Sequence, residues 1–345
     1  MKFTFGKIGR RLAARARAQA PSARAGRAAL ALCGALCLGA CDDSLPRIEG
    51  QATQIVGSPE PATAGASVDE SWPQYAVVSE QYFPPFAMLD GKGGVTGFEP
   101  DLLDEIGKEE KIRFRHFTHA WEGIFELLDT GKADIVSASV TVTPARMARY
   151  DFSDPYYVSN QTLLSTQGVV RQEDLGRLAD FRVIVKRGTS SAEIVERIFA
   201  ASGRGPTAQA SGLAQDGKGA DASGKAEGRK GGSIRYEDST YMGARDVFGR
   251  SSDAVVSDSG PLRYYAKTYA DYSPALYEMP GYPVEHIAFV FSKTRTDGLR
   301  DKINDGLAKL KDNGKLDELC RKWFGAPSAK LPRLSEIRFE GGSGK

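Results

Sequence analysis

Between about residues 73 and 326 the apolar positions follow two alternating rhythms. Short apolar or alternating runs at Tyr75–Ser79, Ile112–Phe117, Ala133–Ser139, Phe181–Lys186, Ile234–Tyr236, Asp253–Ser257 and Ile287–Phe291 predict strands. A helical spacing runs over Phe98–Glu109, with Leu102, Leu103 and Ile106 on one face. A second covers Trp121–Thr130, with Ile124, Leu127 and Leu128 facing in and Gly131 as its stop. Further helices are expected at Ser190–Ala200, Tyr241–Phe248 and Pro261–Tyr269, and a long helical region from Asp297 to Trp323. Strands alternating with helices imply an α/β fold built from βα units.

Three stretches break the pattern. Residues 41–72 are rich in Asp, Pro, Ala, Gly, Ser and Thr and read as a flexible tether. Residues 203–232 hold mostly Gly, Ala, Ser, Lys and Asp, with Leu213 the only large aliphatic residue, too little apolar surface to order a segment. They read as a disordered surface insertion. The tail, 327–345, has little apolar pattern and a Gly-Gly-Ser-Gly near its end.

The first 40 residues have the layout of an export signal. A basic stretch ends at Arg27, and an apolar run from Ala28 to Ala40 is too short for a stable membrane span. Leu38-Gly39-Ala40-Cys41 resembles the lipobox of bacterial lipoproteins, which makes Cys41 the expected lipidation site. Arg10-Arg11 fits a twin-arginine signal poorly. Cys33 and Cys37 leave with the leader, so Cys320 alone remains and no internal disulfide is expected. The leader carries eight of the chain's 46 basic residues; the other 38 face 44 acidic ones. A mildly acidic mature protein has no electrostatic case for binding nucleic acid. His116, His119 and His286 lack the partners of a metal site, and no cofactor or nucleophile motif is present.

Several segments resemble the bacterial extracellular solute-binding protein family 3, which captures polar amino acids for ABC importers. They are Phe83-Pro84-Pro85-Phe86 with Gly97-Phe98-Glu99-Pro100-Asp101; Trp121, Gly131-Lys132-Ala133-Asp134-Ile135, Thr141-Val142-Thr143-Pro144-Ala145-Arg146 and Asp151-Phe152-Ser153-Asp154-Pro155-Tyr156-Tyr157; Gly188-Thr189-Ser190; Ser252–Asp258; and Gly314 with Trp323-Phe324-Gly325. The resemblance implies a two-lobed periplasmic-binding-protein-like fold of type II. Lobe one would be 73–165 plus 290–326, lobe two 166–289, and a two-segment hinge would join them with the ligand in the cleft between.

Burying an amino acid's two charges is costly unless each is paired. By the resemblance, Arg146 would hold the carboxylate with its planar fork, and Thr189 and Ser190 would complete that site from a helix start. Asp258 would pair the ammonium at the end of a strand, with Ser139 and Thr141 adding acceptors. Phe83 and Trp121 would sandwich the ligand's side chain, and Glu80 and Lys186 would read its end. Lys186 weighs against a purely cationic ligand. Phe86, Phe98 and Phe152 are assigned to the core, Asp253 to a structural role and Arg149 to the solvated surface. The reading is a monomeric receptor in the cell envelope or periplasm, anchored to the membrane by lipid and docking on the membrane subunits of an ABC importer. One alternative is a dehydratase on the same fold, with Glu80 or Glu122 as general acid. The other is a sensor module of a larger protein, disfavoured because the chain ends soon after the fold.

Overall fold

The computed structural model describes residues 69–203 and 231–339. The leader, Cys41, the tether as far as residue 68, residues 204–230 of the insertion and residues 340–345 lie outside the described residues.

The chain opens with β1 (Gln74–Glu80), then a small antiparallel sheet of β2 (Tyr82–Phe83), β3 (Ala87–Leu89) and β4 (Val95–Thr96). There follow α1 (Phe98–Glu110), β5 (Arg113–His119), α2 (Glu126–Asp129), β6 (Ile135–Thr141), α3 (Pro144–Arg149), β7 (Tyr150–Phe152) and β8 (Tyr157–Ser159). The chain then passes to β9 (Gln161–Thr166), β10 (Arg182–Lys186), α4 (Ser190–Ala201), β11 (Ser233–Glu237), α5 (Thr240–Phe248), β12 (Ala254–Asp258), α6 (Ser259–Thr268) and β13 (Pro274–Glu278). It returns through β14 (Glu285–Ser292) to α7 (Leu299–Asp312) and α8 (Lys315–Phe324).

Two sheets result. The first has the order β5-β1-β6-β14-β7, with β8 also paired to β14; the second has the order β11-β10-β12-β9-β13. In each, three parallel strands are flanked by antiparallel ones. The period-2 alternation of strand side chains feeds two cores per sheet. In β14, Ile287, Phe289 and Phe291 pack with α1, α7 and α8, while Ala288 and Val290 pack on the other face with Ile124 and Leu128. In the second sheet, Val183 and Val185 face α4, and Ile184 faces α5 and α6. Both faces are covered, as parallel βα sheets require.

The crossings between sheets fall earlier than the sequence suggested. β9 belongs wholly to the second sheet and β14 wholly to the first, so the chain crosses near Asn160 and again between Glu278 and Glu285. The helix expected over Trp121–Thr130 is also shorter. Gly123 adopts a φ of 78°, which a right-handed helix cannot contain, so 121–125 are turns and only 126–129 is helical. Ile124 and Leu128 are nevertheless buried as expected. The long C-terminal helical region splits at Gly314, whose φ is 79°.

The tail is not detached through its described part. Leu331 packs against one core cluster of the first lobe, and Leu334 and Ile337 against the other. The Leu334 N–H donates to Asp154 Oδ1 (2.8 Å), and the Ser328 N–H and hydroxyl both donate to Asp317 Oδ1. Folded structure therefore continues past Ala326 to about residue 339. Ile337→Ala should cost about 2 kcal/mol, the low end for an Ile-to-Ala change because the site lies at the rim of the core. Urea unfolding would show a lower midpoint with an unchanged slope; an unmoved midpoint would show that the tail contributes nothing to the lobe.

Candidate functional site

Parallel strands of an open α/β sheet present functional residues at their carboxyl ends. Here Glu80 closes β1, Thr141 closes β6, Lys186 closes β10 and Asp258 closes β12. The two sheets bring those ends together across one cleft of about 330 Å³. All ten residues singled out from the sequence line it: Glu80, Phe83, Trp121, Ser139, Thr141 and Arg146 from the first lobe, and Lys186, Thr189, Ser190 and Asp258 from the second.

The walls are held by local backbone chemistry. Gly97 has a φ of 141°, and a Cβ there would lie 2.2 Å from the Phe86 carbonyl oxygen. Only glycine allows the backbone of α1 to meet that loop, where the Phe98 and Glu99 N–H groups donate to the Pro85 and Phe86 carbonyls (2.9 and 3.0 Å). Glu99, carried into the interior by α1, accepts from the Ser139 N–H (2.7 Å), the Ser137 hydroxyl (3.1 Å) and the Tyr156 hydroxyl. Burial pushes its carboxyl up to about 7. Ser139 sits at a φ of 50°, a left-handed conformation uncommon outside glycine. Glu99 thus fixes a strained residue whose own buried hydroxyl has no partner and faces the cleft.

Arg146 lies in α3, capped by the Thr143 hydroxyl, which accepts the Arg146 N–H (3.2 Å). Its guanidinium donates to the Thr141 carbonyl (3.0 Å) and, across the cleft, to the Gly188 carbonyl (3.3 Å). It lies 5.4 Å from the Trp121 ring centroid. Among the described residues no carboxylate stands within ion-pair distance of it. Gly188 has a φ of 70°, a conformation that favours glycine, and a Cβ there would only touch Trp121 Nε1 on the opposite lobe, at 3.4 Å.

Asp258 Oδ1 is buried without a hydrogen-bond partner. Burial, with the nearby Glu285 charge, pushes the Asp258 carboxyl up to about 7. Glu80 and Lys186 form an ion pair across the cleft, with Lys186 Nζ donating to Glu80 Oε2 and both residues 4 % exposed. Burial raises the Glu80 carboxyl and lowers the Lys186 ammonium, and each charge opposes the other's shift. The Thr189 hydroxyl is spent on structure. It donates to the Lys186 carbonyl (2.7 Å) and accepts from the Ala192 N–H (3.3 Å) as the cap of α4, so its proton is engaged and only an acceptor lone pair remains for a ligand.

Sequence reasoning missed Glu285, Gln161, Thr240 and Ser257. Glu285 starts β14 at the second crossing and accepts from Gln161 Nε2 (2.7 Å) and the Thr141 hydroxyl (3.3 Å). An acid opening an apolar strand reads as a solvated end, and nothing in the sequence places it beside Asp258. Thr240 and Ser257 line the second lobe's wall, their hydroxyls 3.2 Å apart. Asp253 is structural, accepting from the Arg182 backbone and guanidinium. Arg149 is exposed, and Phe86, Phe98 and Phe152 are buried in the core. The described residues hold no group of three or more His, Cys, Asp or Glu able to bind a metal, and no helix long and apolar enough to cross a membrane.

Two covered α/β lobes, crossed twice by the chain and enclosing a polar cleft at their strand ends, define a two-lobed binding protein. The chain belongs to the bacterial extracellular solute-binding proteins, family 3, whose sequence profile matches residues 75–326. It is 27 % identical to a probable histidine-binding protein of Neisseria gonorrhoeae, over 72 % of this chain and 82 % of that one. Its structure is similar to the arginine-, lysine-, histidine-binding protein ArtJ of Geobacillus stearothermophilus (TM-score 0.60, 25 % identity, 76 % of this chain and 98 % of that one). It is also similar to an ancestral amino acid-binding protein, AncCDT-1, described as a precursor of cyclohexadienyl dehydratase (TM-score 0.57, 27 % identity, 73 % and 95 %).

The raised Asp258 carboxyl has a defined pH signature. A carboxyl lifted by burial binds its proton more tightly in the folded state, so its ionisation lowers stability as pH rises from about 4 to about 7. Asp258→Asn should therefore melt higher than the parent at pH 8, by about 1–2 kcal/mol once partial exposure is discounted. The difference should vanish near pH 4. Equal stabilities across that range in a melting series would show that Asp258 carries no burial penalty.

Proposed function

We propose that the protein is an extracytoplasmic receptor that binds a polar amino acid in its interlobe cleft and delivers it to the membrane subunits of an ABC importer. One observation carries the reading. The cleft holds a guanidinium with no carboxylate partner, Arg146, and a buried carboxylate oxygen with no donor, Asp258 Oδ1. No ion pair joins the two, which leaves an anion-seeking and a cation-seeking group in one cavity, and a zwitterion satisfies both. The partnerless Ser139 hydroxyl adds a further polar contact, and the start of α4 at Ser190 offers N–H groups to the carboxylate.

The ligand binds by hinged closure. It enters between the lobes, lodges on Arg146, Ser139 and Thr141 of lobe one, and draws in Ser190 and Asp258 of lobe two. The hinge is the pair of crossings near Asn160 and before Glu285. The receptor acts as a monomer, carries no catalytic step and needs no cofactor. A dehydratase would need a carboxylic acid free to protonate a leaving group, whereas Glu80 is engaged by Lys186 and Glu122 is exposed. The family's extracytoplasmic setting and the Leu38–Cys41 lipobox support a lipid anchor at Cys41 after removal of residues 1–40.

Arg146→Ala should weaken amino-acid binding by about 2–5 kcal/mol, because the ligand carboxylate loses its charged partner on burial. Asp258→Ala should act similarly through the ammonium, and Arg149→Ala should change little. Calorimetric titration with melting controls decides; parent-like binding by a folded Arg146→Ala would refute the assignment. Cys41→Ser should move the protein from the membrane to the soluble fraction in a fractionation experiment, and unchanged membrane association would remove the lipid anchor from the proposal.

A further inference from the structure

Phe83 and Trp121 have the form of a box for a ligand's side chain, with Glu80 at its end. The box already holds a cation. Lys186 Nζ lies 5.0 Å from the Phe83 ring centroid and 4.7 Å from that of Trp121 while it donates to Glu80. An acid beside two aromatic faces attracts an ammonium or guanidinium, and here the chain supplies its own. We propose that Lys186 is the residue that sets the cleft's specificity: by filling the cation box of Phe83, Trp121 and Glu80, it limits the ligand to amino acids with uncharged side chains and excludes lysine and arginine.

The inference rests on the amino-acid-receptor reading and goes further by naming the side-chain class. A cationic side chain could enter in two ways, and both are unfavourable. Entering beside Lys186 places two like charges within a few ångströms in a water-poor cleft. Displacing Lys186 strands a buried ammonium without its carboxylate. In the closed cleft the lysine's backbone is fixed within lobe two. It closes β10, its register fixed opposite Glu237 of β11, and its carbonyl accepts the Thr189 hydroxyl. An anionic side chain meets Glu80 and Asp258 on the same walls. An uncharged one adds no charge to the interior and can donate to Glu80 or accept from Lys186. Similarity of fold to a protein named for arginine, lysine and histidine therefore does not bring arginine or lysine to this cleft.

The experiment is calorimetric titration of the full folded chain with glutamine, asparagine, serine, methionine, arginine, lysine and glutamate. It is repeated for Lys186→Met and for the double variant Glu80→Gln/Lys186→Met, with melting curves for each. The parent should bind an uncharged amino acid at least tenfold more tightly than arginine, lysine or glutamate. Lys186→Met frees Glu80 and both rings and should gain at least tenfold in affinity for arginine or lysine. The double variant leaves neither member of this ion pair stranded, so it should fold, and it should still reject them. The inference is overturned if the parent prefers a charged side chain, if folded Lys186→Met gains nothing, or if the double variant gains as much as the single one. Should Lys186→Met fail to fold, the parent panel and the double variant still decide. A folded parent that binds no amino acid overturns the receptor reading and this inference with it; binding with a cationic preference overturns this inference alone.

Discussion

The ion pair of Glu80 and Lys186 joins the carboxyl end of β1 to that of β10, and so one lobe to the other. Removing both charges from water costs several kcal/mol for each, and only their mutual attraction at good geometry offsets this. That constraint governs how the cleft closes, because an arrangement that buries the two groups apart leaves two uncompensated charges. The other cross-cleft contacts agree with it. Arg146 reaches the Gly188 carbonyl, two residues past Lys186, and Trp121 lies against Gly188.

Around that pair the cleft is organised by what remains unsatisfied. Asp258 Oδ1 and the Ser139 hydroxyl are buried without partners, and Arg146 donates only to neutral carbonyls. Such groups weaken the ligand-free protein and become favourable contacts once a ligand supplies the missing charge or hydrogen bond. Glu99 has the opposite role. Three donors surround its carboxyl, so it holds Ser139 in a conformation that residue would not choose alone. Stability is thus concentrated behind the wall and withheld at its surface.

The elements most legible in the sequence were those whose residues bury a whole face. β1, β10 and β12 and the helices α1, α4 and α5 lie within two residues of their expected bounds. The misses have local causes. β2, β3, β4, β7 and β8 are two or three residues long, too short for a period to show. β9 is buried on both faces, so Gln161–Thr166 carries no alternation to read. Gly123 ends a helix that its neighbours' spacing favours. Leu331, Leu334 and Ile337 are too sparse, among prolines and charges, to announce that the tail packs on a lobe.

The cleft residues legible in advance stand at strand ends or helix starts, where βα chemistry places functional groups whatever the rest of the chain does. Glu285, Gln161 and Glu99 follow no such rule, because their roles arise from contacts between segments up to 144 residues apart, as in the bond from Thr141 to Glu285. By itself the sequence determined the α/β class, the core faces and the residues available for recognition, since burial and local propensity act over a few residues. The tertiary structure alone decided which charges meet: that Lys186 lies on Glu80 between two rings, while Arg146 and Asp258 form no ion pair. Pairing across a cleft depends on the packing of two sheets, and no local rule contains that distance.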